Sequence, residues 1–445
     1  MNDTIAAIST PFGGGAIAIV RLSGERAIAI ADKVFRGRLT LGEAEARRQL
    51  FGRIFDGEKF LDEVLASVHR APASYTGQDV VEINCHGGIL VTREILRVLL
   101  EGGARAANPG EFTERAFLNG KLDLTQAEAV MDLITAKTNL ALRAAAEQLE
   151  GRLGEKIGGL RAMLLRLLAH VEAFIDFPEE DIDPETGDVL LRSLDEIVAA
   201  NDALLRTAAQ GRILREGVRA VIYGAPNVGK SSLLNLLLGY ERAIVSEHPG
   251  TTRDTIEEVI NFRGIPLRLV DTAGLRDSSD AVEKAGMERT LKSIERADLA
   301  LHLVDGSQPR SQALWAAENG TEEILVLNKK DLGEDPAWKA IHGVRISCLT
   351  GDGLDRLADE VFRRILGGNM DSGDSLVAIS VRHQGCLQAA AVFCEVARRG
   401  IHERFSPELI AMELRAALDA VGEVVGKADT EELLGEIFST FCIGK

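Results

Sequence analysis

No apolar run in this chain approaches the roughly 18 residues that a membrane span needs. The most apolar helical stretch, Met163 to Ile175, is interrupted by Arg166 and His170. The N-terminus has no basic n-region and no signal-peptide core, so the expectation is a cytoplasmic protein with no membrane partner. Cysteine is scarce and scattered: Cys85, Cys348, Cys386, Cys394 and Cys442 include no CxxC pair. Their odd number fits neither a disulfide framework nor a zinc site, and reduced thiols are expected. Positive charge is also short, 51 Lys and Arg against 68 Asp and Glu, a net charge of −17. That balance argues against wholesale wrapping of nucleic acid, because phosphate binding draws on clustered Lys and Arg. Any RNA contact must be local. No GxGxxG fingerprint follows a strand-like run, so the chain itself is not expected to bind flavin or nicotinamide dinucleotides.

What is present is enough apolar material for several cores: 46% of 445 residues are hydrophobic, at a mean hydropathy of +0.03. This length implies two to four domains. The first region mixes β-branched runs (Ala16 to Arg21, Val80 to Asn84) with Gly-rich turns, an α/β pattern. Farther on, Leu153, Ile157, Leu160, Leu164, Leu167, Val171 and Phe174 recur at helical spacing. They predict one face of a long helix ended by Pro178, a bundle core and not a cofactor box. A second amphipathic stretch, Thr186 to Arg212, is expected to run back along it, and similar patterns return after about Asp374. Between the helical blocks lie five short apolar strands, Ala220 to Tyr223, Leu267 to Val270, Ala300 to Val304, Ile324 to Leu327 and Val344 to Ile346. Separated by helical patterns, they imply a parallel, doubly wound sheet. The expected fold is therefore multidomain: an N-terminal α/β domain, 1–118; an all-α helical domain in two parts, 119–213 and 372–445; and a Ras-like α/β G domain, 214–371, inserted in it.

The insert carries the chemistry. Gly224-Ala225-Pro226-Asn227-Val228-Gly229-Lys230-Ser231-Ser232 follows a strand and opens a helix at Ser231, the context in which GxxxxGK[ST] cradles phosphates. Backbone N–H groups and the helix N-terminus face the phosphates, Lys230 reaches the β/γ oxygens, and the Ser231 hydroxyl suits Mg²⁺. Downstream, Gly250-Thr251-Thr252 can place a Thr hydroxyl on Mg²⁺, and Asp271-Thr272-Ala273-Gly274 places an Asp there through water. Asn328-Lys329-Lys330-Asp331 ends a strand, and the Asp331 carboxylate can accept two hydrogen bonds from guanine N1–H and its exocyclic amine. Adenine offers no such pair. Ser347-Cys348-Leu349 follows the next strand and should meet the base through its backbone. Five motifs on five strand ends make the nucleotide GTP.

Leu275 follows Gly274 where Ras-like proteins carry the Gln that orients water, so hydrolysis must use something else. With Asn227 in the phosphate loop and Gly250 to Asp254 in the switch, the chain resembles the MnmE (TrmE) family, in the TrmE/Era class of GTPases. Where related GTPases carry Ser-Ala, Cys348 is a mild departure. The resemblance implies that Asn227 binds K⁺ in place of an arginine finger, with Ser246, His248 and Thr251 completing the shell. It also assigns Glu247, Pro249 and Thr252 to the nucleotide-contacting switch, Mg²⁺ to Ser231, Thr252 and Asp271 (through water), and the ordering of the attacking water to Glu283. On residues alone, an acid such as Glu283 near a helix start is more often dipole compensation.

The resemblance covers essentially the whole chain. Arg21 to Gly24, Ser74 to Gly77, Glu82 with His86 to Gly88, Pro109 to Glu128 and Phe438 to Lys445 look like signatures of the family. It implies that the N-terminal domain is tetrahydrofolate-binding-like and forms a homodimer contact. The implied ligands of a one-carbon folate, 5-formyl- or 5,10-methylene-tetrahydrofolate, are Arg21, Glu82, Lys121 and Lys445, with Cys442 beside it as a reacting thiol. A prenylation reading of Cys442-Ile-Gly-Lys445 fails on its Gly and Lys, and Phe438, Phe441 and Ile443 are expected to dock the tail. The implied activity is GTP hydrolysis coupled to tRNA modification, with the FAD-dependent protein MnmG (GidA) adding an aminomethyl-type group at C5 of the wobble uridine. The competing reading, an Era-like regulatory or ribosome-assembly switch, would require a KH-type RNA module with a basic surface after the G domain. An arginine finger contributes about 10³ to 10⁵ in rate, and a bound cation would supply similar charge. GTP turnover should accordingly be faster in KCl than in NaCl at matched ionic strength, and equal rates would refute the K⁺ role of Asn227.

Overall fold

The computed structural model describes residues 3–176, 186–240, 257–270, 297–310, 321–366, 378–427 and 431–445. Internal packing divides the chain into two units, Met1–Met131 with Gly154–Asp195 and Ala389–Lys445, and Asp132–Leu153 with Glu196–Gln388. In chain order, the N-terminal part comprises β1 (Ile5–Ile8), β2 (Ile17–Ser23), α1 (Ala27–Val34), β3 (Phe35–Gly37), β4 (Gln49–Asp56), β5 (Lys59–His69), β6 (Val80–His86), α2 (Ile89–Glu101), β7 (Arg105–Ala106) and α3 (Glu111–Leu118). Helices α4 (Leu124–Thr135), α5 (Asn139–Leu149), α6 (Arg152–Asp176), α7 (Thr186–Leu205) and α8 (Ala208–Glu216) follow. Next come β8 (Val218–Tyr223), α9 (Lys230–Tyr240), β9 (Glu257–Phe262), β10 (Ile265–Val270), β11 (Leu299–Asp305), β12 (Glu322–Asn328), β13 (Val344–Arg345) and α10 (Leu354–Leu366). Helices α11 (Val381–His402), α12 (Pro407–Val424) and α13 (Glu431–Ser439) close the chain.

The first unit holds a sheet of order β3-β4-β5-β6-β2-β1-β7, antiparallel except where β1 pairs β7. Alternation sorts its faces. Val20, Leu22, Val81, Ile83, Ala66 and Val68 are buried in one core with Ile30 of α1 and Ile95 and Leu99 of α2. The alternate residues Arg21 and Glu82 point the other way, and they stand directly opposite each other across β2 and β6. A reciprocal capping box starts α4: Asp123 Oδ1 accepts from the Gln126 N–H at 2.9 Å, and Gln126 Oε1 accepts from the Asp123 N–H at 3.0 Å.

The long-helix reading holds for α6, where Leu153, Ile157, Leu160, Leu164, Leu167 and Val171 are buried. Phe174 is the exception, at 38% exposure. The amphipathic stretch from Thr186 to Arg212 falls in two helices, α7 and α8. The chain breaks at Thr207, whose N–H and hydroxyl both turn back onto the Leu204 carbonyl, at 2.9 and 2.8 Å.

The second unit contains the expected strands in the order β13-β12-β11-β8-β10-β9. All pair in parallel except β9, which runs antiparallel to β10. The sequence reading missed β9 because Glu257, Glu258 and Asn261 interrupt its apolar residues.

The C-terminal segment docks in the first unit. Phe438 and Phe441 are buried with ring centroids 5.3 Å apart, whereas Ile443, expected to dock with them, is 58% exposed. Backbone contacts do the holding here: Gly110 N–H donates to the Cys442 carbonyl, and Phe112 N–H to that of Lys445 at 3.1 Å. Gly444 has φ of 97°, and a Cβ on it would stand 2.5 Å from the Ile8 carbonyl oxygen.

A buried ion network fastens the same region. Arg115, 1% exposed, donates to Asp3 Oδ1 at 2.7 Å, to Glu111 Oε1 at 2.8 Å and to Gln78 Oε1 at 3.1 Å. Burial alone would raise the Glu111 pKa, but hydrogen bonds from Arg105, the Asn108 N–H and Arg115 outweigh it and hold the carboxyl below its usual value. A depressed carboxylate pKa stabilises the fold above the ordinary carboxylate range, and that contribution is lost as pH falls through the lower folded value. Breaking a buried pair by removing one partner costs about 3–5 kcal/mol. Arg115→Met is therefore expected to lower the stability of this unit by that amount at pH 7 and to weaken its acid sensitivity. The check is urea unfolding followed by amide exchange of β2 and β6, where an unchanged midpoint at pH 7 overturns the expectation.

Candidate functional sites

In the second unit β8 runs into the loop 224–229, and α9 begins at Lys230, one residue earlier than the sequence implied. The Lys230 ammonium closes the loop by donating to the carbonyls of Gly224 at 2.9 Å and Ala225 at 2.8 Å. Burial pushes its pKa down. A polyphosphate in the cradle opposes that shift, since it rewards the charged form. Ser231 lies exposed in the first turn of α9, where a hydroxyl can serve a hard cation. Asn227 is exposed in the loop with φ of 63°, a conformation that Asn tolerates better than most residues.

The base side is tied to this loop through Asn328. Its buried amide donates to the Val228 carbonyl at 2.8 Å and its carbonyl oxygen accepts from the Cys348 N–H at 3.0 Å. Gly229 passes so close that a Cβ there would lie 2.4 Å from Asn328 Nδ2. The Asp331 carboxylate, on an exposed turn, is oriented by the Ser347 hydroxyl at 2.5 Å. Lys329 donates to Asp305 Oδ2 at 2.7 Å. Asp305 was not foreseen, because no short motif contains it. Burial and the Asp331 charge raise the Cys348 thiol to about 11, so it is protonated at neutral pH. Leu349 is 86% exposed.

Ser246, Glu247, His248, Pro249, Gly250, Thr251, Thr252, Asp271, Thr272, Ala273, Gly274 and Glu283 lie outside the described residues. Among the described residues no cluster of three or more His, Cys, Asp or Glu could hold a metal. A Mg²⁺ or K⁺ ion would draw on Ser231 and Asn227, whose oxygens suit hard cations.

A second constellation forms in the first unit. Arg21 pairs with Glu82, Nε to Oε1 at 2.9 Å and Nη2 to Oε1 at 2.8 Å, and donates to the Gly444 carbonyl at 3.4 Å. Its guanidinium carbon lies 5.8 Å from the Tyr75 ring centroid and 5.7 Å from that of Phe112. Lys445 belongs to the same cluster: burial and then the Arg21 charge push its pKa down, while Cys442 and Glu82 oppose the shift. Cys442 is exposed. Arg21, Glu82, Cys442 and Lys445, about 420 residues apart at the extremes of the chain, are thus within electrostatic reach of one another. Lys121 is held separately, donating to the Pro72 carbonyl at 3.1 Å, on the loop that also carries Tyr75. Two neighbours were missed: Tyr75, whose hydroxyl bonds Thr113 Oγ1 at 2.9 Å, and Ser9, which donates to the Gly444 carbonyl at 2.9 Å. Tyr75 sits inside the Ser74 to Gly77 run, so an exposed aromatic in a turn was the available signal.

A family model described as the MnmE helical domain matches residues 124–442, and one described as the GTP-binding protein TrmE N-terminus matches residues 4–121. The chain is 50% identical over 446 residues to a tRNA modification GTPase MnmE of Akkermansia muciniphila, covering 99% of each chain. It is 45% identical over 458 residues to that of Bacillus subtilis, covering 100% of each. No helix among the described residues is long and apolar enough to cross a membrane.

A pocket that leaves buried polar groups unpaired rejects the wrong ligand by about 10⁴ or more. Asp331→Asn replaces the acceptor of the two guanine donors with an amide that can donate to a xanthine oxygen. GTP affinity should fall by roughly that factor, with xanthosine triphosphate binding gained. Competition binding reads both, and unchanged GTP affinity would remove Asp331 from base recognition.

Proposed function

The chain belongs to the MnmE family of tRNA modification GTPases, and on that premise we propose that its GTP hydrolysis drives modification of the wobble uridine at C5 in certain tRNAs. The partner in this reading is the FAD-dependent MnmG (GidA), which keeps flavin off this chain, and the working form is a cytoplasmic homodimer joined with that partner. Mg²⁺ and K⁺, when bound, neutralise charge developing on the transferred phosphoryl group. The chain's own part is to hold the phosphates with the loop 224–229 and Lys230, to offer Ser231 and Asn227 to the cations, and to select guanine through Asp331. In this reading Thr252 and, through water, Asp271 would join Ser231 in holding Mg²⁺, Ser246, His248 and Thr251 would join Asn227 in holding K⁺, and Glu283 would order the attacking water.

The observation that carries the second chemistry is the cluster of Arg21, Glu82, Cys442 and Lys445, which no GTPase motif contains. A tetrahydrofolate derivative supplies a one-carbon unit when bound. Glu82 can accept from a pterin's amino and N–H groups, the cations can meet a glutamate tail, and Tyr75 offers an aromatic face. The donor set fits such a ligand. An Era-like switch is disfavoured because the described residues after the G domain form the helices α11, α12 and α13.

Cys442→Ser is nearly isosteric at an exposed position, so it should leave GTPase activity essentially intact. A hydroxyl cannot replace a thiol needed for chemistry. Expressed in cells lacking the native protein, this variant should give tRNA without the modified nucleoside. Normal modification would remove Cys442 from the chemistry, and a parallel loss of GTPase activity would mean that the tail supports the fold.

A further inference from the structure

The unit that holds the G-domain sheet also holds α5, a helix of the segment preceding it in sequence. Two contacts inside this unit reach α5 from opposite ends. Near its start, Leu140 packs against Gly264, in the turn between β9 and β10. A Cβ on Gly264 would lie 3.1 Å from Leu140 Cβ, so this turn has almost no slack. Behind Leu140 are Ala144 of α5, Leu214 of α8 and Ala378. Near the end of α5, Gln148 accepts from Arg215 of α8 at 2.9 Å, and Arg215 also pairs with Asp132 of α4 at 2.8 Å. Both Arg215 and Asp132 are mostly buried, at 19% and 22% exposure, so the tie is shielded from solvent screening. Eight residues separate Leu140 from Gln148, about 12 Å along a helix axis.

The β9–β10 hairpin has a particular place in the chain. It begins six residues after Gly250-Thr251 and ends at Val270, immediately before Asp271. Its ladder is registered without a break from Val270↔Glu257 to Ile265↔Phe262. The ladder thus ties the two strands residue by residue from the end beside Asp271 to the turn. The turn is held from the other side by Arg263, which reaches Asp359 at 3.1 Å and Asp355 at 3.8 Å on α10.

We propose that the β9–β10 hairpin, bearing on α5 through Leu140, passes the nucleotide state of the G domain to the helical segment, with Arg215, Asp132 and Gln148 as its fixed pivot. Leu140 and Arg263 are positioning residues here, and neither belongs to the GTP site. Because α5 is pinned at Gln148 and pushed at Leu140, displacement of the turn tilts or loosens the helix. Small shifts at an effector site become larger ones elsewhere where packed elements have two discrete arrangements. The proposal rests on the GTPase alone and not on the folate or uridine assignments.

Amide hydrogen exchange of residues 138–149, measured in the full chain with GDP and with a non-hydrolysable GTP analogue, tests it. Coupling between sites typically spans 5- to 150-fold, so the exchange of α5 should differ between the two states by roughly fivefold or more. Leu140→Ala should abolish that difference while GTP turnover is unchanged. Arg263→Gln, an exposed change that leaves α5 intact, should reduce it. Equal exchange in the two states of the native chain overturns the proposal, and so does a full difference persisting in either variant. A merely structural Leu140 would raise exchange equally in both states, which also counts against it.

Discussion

Asn328 stands at the end of β12 with its amide buried between two loops, one from the phosphate side of the GTP site and one from the base side. A buried amide left unbonded costs about 1–3 kcal/mol, so each loop is drawn to the position that satisfies it. The phosphate loop must offer the Val228 carbonyl, and the Ser347 segment must offer the Cys348 N–H. Close approach then forbids any side chain at Gly229. The loop 224–229 and the Ser347–Cys348 segment are thereby positioned relative to each other by one side chain at the end of β12. Preorganisation of this kind spares binding the cost of ordering loops.

Much of this was readable in the chain because it is local. The phosphate loop, the Asn328 to Asp331 run and the five parallel strands announce themselves through spacing and apolar runs of a few residues. The long face of α6 is equally local, and it came out buried at all but one position. What escaped the reading is what depends on partners distant in sequence. The Arg21–Glu82 pair spans 61 residues and follows from strand register, which no motif encodes. Asp305 faces Lys329 only because β11 and β12 lie side by side. β9 carries acids on an edge strand, where burial on one face suffices and the apolar signal thins. The misjudged Ile443 shows the same limit: backbone hydrogen bonds dock the tail there, and composition cannot distinguish that from hydrophobic docking.

The two sites solve an electrostatic difficulty in different ways. The chain carries a net charge of −17, and a nucleoside triphosphate is itself strongly anionic. The overall charge therefore does not favour capture at long range. Oriented N–H groups at the start of α9 and the Lys230 ammonium act only within a few ångströms, where the fixed geometry outweighs a diffuse acidic field that salt screens beyond about 8–10 Å.

In the N-terminal cluster the charges are paired in advance. Arg21 is neutralised by Glu82 across the sheet, and Lys445 is pressed toward its neutral form by burial and by Arg21. An anionic ligand entering there relieves the repulsion between the two cations, while one with hydrogen-bond donors competes for Glu82. The first effect requires the C-terminal segment to be docked, and Lys445 is held at the cluster by backbone bonds from Gly110 and Phe112 and by the bonds of Ser9 and Arg21 to the Gly444 carbonyl. The cluster of Arg21, Glu82 and Lys445 is thus completed only when residues from distant parts of the chain meet in one unit, whereas the loop 224–229 and the Asn328 to Asp331 run lie together within the other.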